Sequence, residues 1–387
     1  MTLELKLGFG SLRLEKDTNK KINTALCKKM LDKYIADGGK YIEVAWAYPD
    51  TERVIGGILQ NYSREQFILT DKMPVNLSLI KTEEDYYKIF DEQLQRCSVS
   101  YFDYYLLHNL GLRTFQRSEE LGAFRFLRYL KDNGLAKAVG FSFHDTADVL
   151  EQILSKYTDL IDVVQLQINY LDWDSPVIQS RGNHEVARKY NKDIFVMEPI
   201  KGGRLISLPK EVMELVKKEC PGETPASLAL RFPASLDGVR FVLSGMTDVQ
   251  QVEENLKTFK ALKPLTERER SVLAEAAQII HGKEKIACTA CGYCEKVCPK
   301  KIPIPKLFHL YENDNVGRVG RMYVRITTDQ NRGKASDCLK CGRCEQECSQ
   351  RLPIRKYLED VRKTYEPNSY LVNKVKRKAK AILSKLG

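Results

Sequence analysis

Two cysteine runs near the end of the chain constrain it more than any other feature. The first reads Cys288-Thr-Ala-Cys291-Gly-Tyr-Cys294-Glu-Lys-Val-Cys298-Pro299, and the second Cys338-Leu-Lys-Cys341-Gly-Arg-Cys344-Glu-Gln-Glu-Cys348. Both are C-x2-C-x2-C-x3-C, the spacing with which bacterial two-cluster iron–sulfur proteins hold 4Fe-4S cubanes. Three thiolates on a tight loop cover one cubane, and the fourth cysteine of each run reaches the other. This assigns Cys288, Cys291, Cys294 and Cys348 to one cluster, and Cys338, Cys341, Cys344 and Cys298 to the second. Paired zinc knuckles are the alternative, since C-x2-C also ligates zinc. The full register, with proline closing the first run, favours two 4Fe-4S clusters; Ser349 replaces that proline in the second.

Of 11 cysteines, only Cys27, Cys97 and Cys220 lie outside these runs. Thiolate ligands to iron need a reducing compartment. With no signal peptide and no apolar run near the roughly 20 residues of a membrane helix, a cytoplasmic protein is expected, from a cell that avoids oxygen. At 387 residues, 43% of them hydrophobic, the chain can hold a barrel-sized domain and a smaller one. The net charge of +11 is spread over helix faces without a recognisable nucleic-acid module, so nucleic acid is not an expected partner.

From about residue 4 to 260, short apolar strands alternate with helical stretches, which predicts a βα-repeated fold with a parallel sheet. Predicted strands begin near Leu5, Lys40, Gln66, Tyr104, Lys137, Val163, Ile194 and Arg240. Predicted helices include 22–36, 52–60, 82–97, 119–132, 147–156 and 249–256. Eight strands, each followed by a helix, match a (β/α)8 TIM barrel in number and length. A doubly wound dinucleotide fold would want G-x-G-x-x-G after the first strand; Gly8-Phe9-Gly10 lacks the third glycine, since Arg13 stands there. Chemistry in such a barrel sits at the C-terminal ends of the strands. Those ends carry Glu43 with Tyr48 beyond it, Lys72, His108, Ser142, Gln167 with Asn169, Glu198 and Ser244.

Over residues 3–280 the chain resembles the aldo-keto reductases. The resemblance rests on Leu7-Gly8-Phe9-Gly10, on 41–48 (YIEVAWAY), on Thr70-Asp71-Lys72, on 104–108 (YYLLH) and on Gly140-Phe141-Ser142. It continues through Gln167-Ile168-Asn169-Tyr170, Met197-Glu198-Pro199 and Ser244-Gly245-Met246, followed by Gln251, Glu254 and Asn255. With the cysteine runs, the chain is similar to the branch of that family with a C-terminal ferredoxin-type domain. The resemblance implies carbonyl reduction, or its reverse, with NADP(H) or NAD(H). It maps three members of a catalytic tetrad onto Tyr48, Lys72 and His108. The family places Asp where this chain has Glu43, a change that moves the carboxylate by about 1.5 Å. Ser142, Gln167 and Asn169 match positions that hold the nicotinamide carboxamide, and Tyr170 is the candidate for the nicotinamide face. Lys201, Gly202 and Arg204 fall where the pyrophosphate is met. Ser244, Gly245, Gln251, Glu254 and Asn255 fall at the adenosine end. Trp46, Phe115, Phe143, His144 and Trp173 are candidate pocket walls.

These readings divide the chain into a barrel over 1–282, a mainly helical two-cluster domain over 283–360 and a basic tail over 361–387. Helices are expected at 265–281, leading out of the barrel, and at 305–313 and 318–332 between the cysteine runs. The leading expectation is an iron–sulfur oxidoreductase acting on a small carbonyl or hydroxyl substrate with NAD(P)H. One alternative is a nicotinamide-independent reductase fed single electrons by a ferredoxin- or flavodoxin-like carrier. The other is a non-catalytic electron-transfer protein.

Overall fold

Eight parallel strands close on themselves in sequence order in a computed structural model of the chain. It describes residues 5–48, 50–75, 79–283, 285–312, 323–324, 326–327 and 332–366. The strands are β1 (Leu7–Gly10), β2 (Tyr41–Glu43), β3 (Ile68–Pro74), β4 (Phe102–Leu110), β5 (Ala136–Phe143), β6 (Val163–Gln167), β7 (Asp193–Met197) and β8 (Val239–Ser244). The expected (β/α)8 barrel is therefore present, with β1 pairing β8 to complete it.

Why the site sits where it does follows from strand alternation, in which residues i and i+2 share a face. Tyr41, Tyr104, Val163, Phe195 and Phe241 form one buried cluster. Tyr41 stacks on Phe241 at 4.4 Å and meets Phe195 edge-on at 5.0 Å. This aromatic plug fills the barrel interior. Two residues further along β2 and β6, on the same face, stand Glu43 and Gln165. A polar layer thus lies directly above an apolar one.

Helices flank the barrel in the expected order: α1 (Thr24–Ala36), α2 (Thr51–Leu59), α3 (Glu84–Cys97), α4 (Leu112–Glu120), α5 (Ala123–Asp132), α6 (Ala147–Tyr157), α7 (Ser180–Lys189), α8 (Lys210–Glu219), α9 (Pro225–Ala234), α10 (Val249–Lys260) and α11 (Glu267–Lys283). The expected single helix over 119–132 is two helices. Gly122 breaks it with a φ of +83°, a conformation glycine adopts without a Cβ penalty. The start of α9 is legible in its cap: the Thr224 hydroxyl accepts the Ser227 N–H at 3.0 Å, with Pro225 in the first turn. No helix among the described residues is long and apolar enough to cross a membrane.

The chain divides into two compact units, Met1–His281 and Gly282–Gly387. The second repeats one plan at an offset of 50 residues, so that Cys288 answers Cys338 and Cys298 answers Cys348. Backbone geometry follows the repeat. Ala290 and Lys340 both have a φ of 54°, while Gly292 and Gly342 have 80° and 76°. Each run then makes a short turn of helix, α12 (Tyr293–Lys296) or α14 (Arg343–Gln346). Lys301 and Arg351 next adopt positive φ, and each half enters a longer helix, α13 (Ile304–Glu312) or α15 (Ile354–Tyr365). Ile302, Ile304, Leu307, Phe308, Leu352, Ile354, Leu358 and Val361 form its core. Among the described residues this unit contains helices and turns and no strand. Val361, buried in that core, lies inside α15, so the expected tail boundary at 361 cuts a helix whose apolar face is still packed. The remainder of that tail, 367–387, and most of the expected helix over 318–332 lie outside the described residues.

Candidate active site

Lys72 is the centre of the barrel's polar layer. It points inward from β3 and is 1% exposed. Its ammonium donates to Glu43 Oε1 at 2.8 Å, to Gln165 Oε1 at 2.6 Å and to the Tyr48 hydroxyl at 3.1 Å. The Gln165 amide closes the ring by donating to Glu43 Oε2. Both oxygens of Glu43 and both ends of the Gln165 amide are thus engaged. The Tyr48 ring lies edge-on to His108, with centroids 5.6 Å apart. The structure therefore brings together all four expected catalytic residues and adds Gln165. The signal for Gln165 was available: it sits two positions before Gln167 on one face of β6, at the depth of Glu43.

The main chain at Lys72 is fixed from the helix side. Gln93 Nε2 donates to the Lys72 carbonyl at 3.3 Å and to Glu52 Oε1 at 3.0 Å. Asp71 Oδ1 accepts the Lys72 N–H at 2.7 Å, and the Cys97 thiol contacts Asp71 Oδ2 at 3.7 Å. Burial, reinforced by the Glu52 carboxylate, pushes the Asp71 acid well above the usual carboxylate range. Arg96 pairs with Glu52 at 2.9 Å and lies 3.9 Å over the Trp46 ring, which ties the loop carrying Tyr48 to α3.

The expected cofactor residues gather differently. Asp172 collects three of them: Oδ1 takes Lys201 Nζ at 2.5 Å, and Oδ2 takes Gln167 Nε2 and Asn169 Nδ2, each at 2.8 Å. Asn169 Oδ1 accepts the Asp172 N–H at 2.9 Å, and its Nδ2 also reaches the Glu198 carbonyl at 3.1 Å. Lys201, expected at a pyrophosphate, is buried and neutralised from within. It precedes Gly202 in a loop where Glu198, Lys201, Gly202 and Gly203 all have positive φ. The Glu198 acid is pushed up by burial and opposed by Arg13, whose guanidinium lies 3.5 Å away. Arg13 also covers Gly245, where an added Cβ would come within 3.3 Å of the Arg13 side chain.

Ser142 Oγ accepts the Asn109 N–H at 2.8 Å and keeps its own O–H to donate. Asn255 Nδ2 donates to Ser244 Oγ at 3.0 Å. Gln251 works as part of the α10 cap, bonded to Thr247 and Asp248, and Glu254 takes Gln250 on an exposed turn. Tyr170 turns away to Phe232, at 6.4 Å, and burial pushes its phenol up. Phe115 packs outside the barrel on Phe124 and Tyr157. A cavity of about 690 Å³ lies on the barrel's flank among Tyr170, Trp173, Phe232, Leu273, Ala277 and His281. None of Tyr48, Lys72 or His108 lines it.

Among the described residues no group of three or more His, Cys, Asp or Glu side chains stands close enough to hold a metal ion; the run cysteines fall into two looser sets. Burial pushes the Cys294 thiol up, and Cys291, Cys288 and Cys348 add to it, so those four sulfurs are electrostatic neighbours. Cys344 is raised to about 11 by burial, then by Glu345, Cys338 and Cys298. A small cavity is lined by Cys298, Cys338, Cys341 and Cys344. Cys298 thus stands with Cys338, Cys341 and Cys344, and Cys348 stands near Cys291. Ala290 N–H points at Cys288 Sγ at 3.4 Å, the kind of amide–sulfur contact that tunes a cluster.

Comparison with known proteins agrees with both units. The model of the aldo/keto reductase family matches residues 6–278, and that of the 4Fe-4S dicluster domain matches residues 287–352. Among solved structures, an aldo-keto reductase from Bacillus halodurans in its holo form is 21% identical, with 70% of this chain and 91% of that one covered and a TM-score of 0.57. An aldo-keto reductase from Klebsiella pneumoniae in complex with NADPH is 19% identical, over 70% of this chain and 90% of that one, with a TM-score of 0.57. A thermostable aldo-keto reductase in complex with the inhibitor epalrestat is 21% identical, over 70% and 94%, with a TM-score of 0.59. Comparison with curated proteins found no significant match.

Proposed function

The chain belongs to the aldo/keto reductase family and carries a 4Fe-4S dicluster domain, and from that premise we propose that its barrel reduces a small carbonyl compound, or oxidises an alcohol or sugar hydroxyl, with a nicotinamide dinucleotide. The observation that carries this reading is the 3.1 Å contact between the buried Lys72 ammonium and the Tyr48 hydroxyl. Reduction places a hydride on carbon and a proton on oxygen. When bound, the dinucleotide would supply the hydride; the chain's own residues act at the oxygen. Tyr48 gives it the phenolic proton. The Lys72 ammonium stabilises the phenolate left behind. Glu43 and Gln165 hold that ammonium, and His108 orients the carbonyl by a hydrogen bond to the same oxygen. Oxidation runs these steps in reverse.

The residues fit the dinucleotide unevenly. The Ser142 hydroxyl can still donate to a carboxamide, and the reductase from Klebsiella pneumoniae of the same fold binds NADPH. Gln167, Asn169 and Lys201 are committed to Asp172 instead. That commitment favours a second reading, a reductase fed single electrons by a carrier protein and independent of nicotinamide. The protein is placed in the cytoplasm by the reducing conditions its thiolates need.

The discriminating experiment is an anaerobic titration of the cluster-loaded protein with NADPH and then NADH, followed by tryptophan fluorescence and visible absorbance. Trp46, two residues before Tyr48, is one of only two tryptophans. Saturable quenching supports the nicotinamide reading. Absence of binding by either nucleotide overturns it in favour of the carrier-fed one.

A further inference from the structure

The two halves of the cluster unit share a backbone but not a surface. Between Cys288 and Cys294 the first loop carries Thr289, Ala290 and Tyr293, with Thr289 buried. The matching places in the second loop hold Leu339, Lys340 and Arg343. Leu339 is 59% exposed, and Lys340 and Arg343 are exposed as well. Cys341 is the one fully exposed cysteine of the eight, whereas its counterpart Cys291 is half-buried. At the head of the following helix, buried Pro305 is answered by exposed Arg355. Lys300 joins from the first half, because Cys298 crosses to this site; Lys300, Arg343 and Arg355 line the same cavity as Cys298, Cys338, Cys341 and Cys344.

The carboxylates nearby cancel this charge only in part, with Glu359 in electrostatic reach of Lys340. Glu345 is spent on Arg355, at 2.7 Å, and Asp337 accepts the Lys334 N–H at 2.7 Å. Glu347 is half-buried. Lys300, Lys340 and Arg343 make no ion pair among the described residues. An exposed leucine ringed by cations has the make-up of a docking surface, with an apolar centre for contact and a charged rim for steering.

We propose that this face, Leu339 and Cys341 with the cations Lys300, Lys340 and Arg343, docks a small acidic one-electron carrier. Cys298, Cys338, Cys341 and Cys344, on the more open side of the unit, would hold the cluster that such a carrier reaches first. When bound, the 4Fe-4S cluster these four cysteines would hold would supply the one-electron acceptor, and the reduced carrier would give up one electron to it with no bond formed and no proton moved. The net charge of +11 adds long-range attraction for an acidic partner. The surface serves either reading of the barrel, and the test below leaves the barrel's chemistry out.

Flavodoxin, acidic and a one-electron carrier, is the probe, and basic cytochrome c the control. Each is titrated by calorimetry, without oxygen, into the full-length cluster-loaded protein. Flavodoxin binding is expected at low salt and should weaken by about tenfold or more as salt approaches about 0.3 M. Lys340→Glu with Arg343→Glu should weaken it by about tenfold or more. Lys217→Glu, on α8 of the other unit, should leave it unchanged. Cluster absorbance reports whether each variant is intact; if the double variant loses it, Leu339→Ser carries the test, with a loss of affinity again expected. Equal affinity of wild type and variant, equal binding of cytochrome c, or no flavodoxin binding would each overturn the proposal.

Discussion

Two of the lysines buried in the barrel unit, Lys201 and Lys72, each stand beside one carboxylate, and they are wired differently. Lys201 and Asp172 form a pair closed at the carboxylate, whose remaining bonds go to Gln167 and Asn169. Lys72 and Glu43 form an open one, since the ammonium extends past Glu43 and Gln165 to a phenol. A buried ion pair is weak evidence of stabilisation, because desolvating both charges costs several kcal/mol. What it does well is fix a charge in one place. The closed pair fixes a loop, and the open pair presents a cation to a group that can lose a proton.

The largest test of that contrast removes the phenol. Tyr48→Phe should cut turnover by about a thousandfold, within the range for a lost proton donor. Nucleotide affinity should change little, because the hydroxyl faces the substrate oxygen. Unchanged turnover in an anaerobic reductase assay would break the open pair's claim to chemistry.

Lys201→Met addresses the closed pair. It leaves Asp172 buried with only two amide donors and should lower stability by about 3–5 kcal/mol, the usual cost of stranding a buried charge. Denaturant unfolding measures this. Turnover per folded molecule should stay within a fewfold of wild type. If stability holds and the KM for NADPH rises tenfold or more, Lys201 leaves Asp172 to meet the cofactor, and the contrast between the pairs fails.

How much of this was legible in sequence depended on how local the signal was. The cysteine register pointed to a dicluster domain, which the family comparison bears out, because each loop is built from a dozen consecutive residues. Eight strands were legible for a similar reason: their apolar runs repeat along the chain. Tyr48, Lys72, His108 and Glu43 stood out at the strand ends and took their expected roles from resemblance, and the barrel does bring them together. The fate of Gln167, Asn169 and Lys201 was not legible, since the acid that claims them, Asp172, lies on the loop after β6 and carries no motif. Gln165 was overlooked beside Gln167, although strand alternation puts both on one face. The basic face around Cys341 needed the structure, which sorts equivalent loop positions into buried and exposed.

Glu43→Asp sharpens the picture of the open pair. If Glu merely stood in for Asp, shortening it would preserve or raise activity. Both of its oxygens are engaged, however, and pulling the carboxylate back by about 1.5 Å breaks contact with Lys72 or Gln165. A loss of roughly 100-fold in kcat/KM is expected, comparable to other misplacements of that size. Activity at or above wild type would mean the site does not depend on the longer side chain.

The smallest effect belongs to Gln165, and it is the most specific. Gln165→Leu keeps the volume but removes an acceptor for Lys72 and a donor for Glu43, at about 1–3 kcal/mol for the partners left unpaired. Turnover should fall by about tenfold as the ammonium is no longer held against Tyr48. A structural role alone would produce a similar loss of stability, so the deciding readout is a double-mutant cycle. Gln165→Leu and Glu43→Asp damage the same ring, and their losses in kcat/KM should fall short of additive by about 1 kcal/mol or more, as for residues in one hydrogen-bond network. Additive losses would mean that Gln165 and Glu43 act separately on Lys72, and the open pair would then be a two-residue device with a bystander amide.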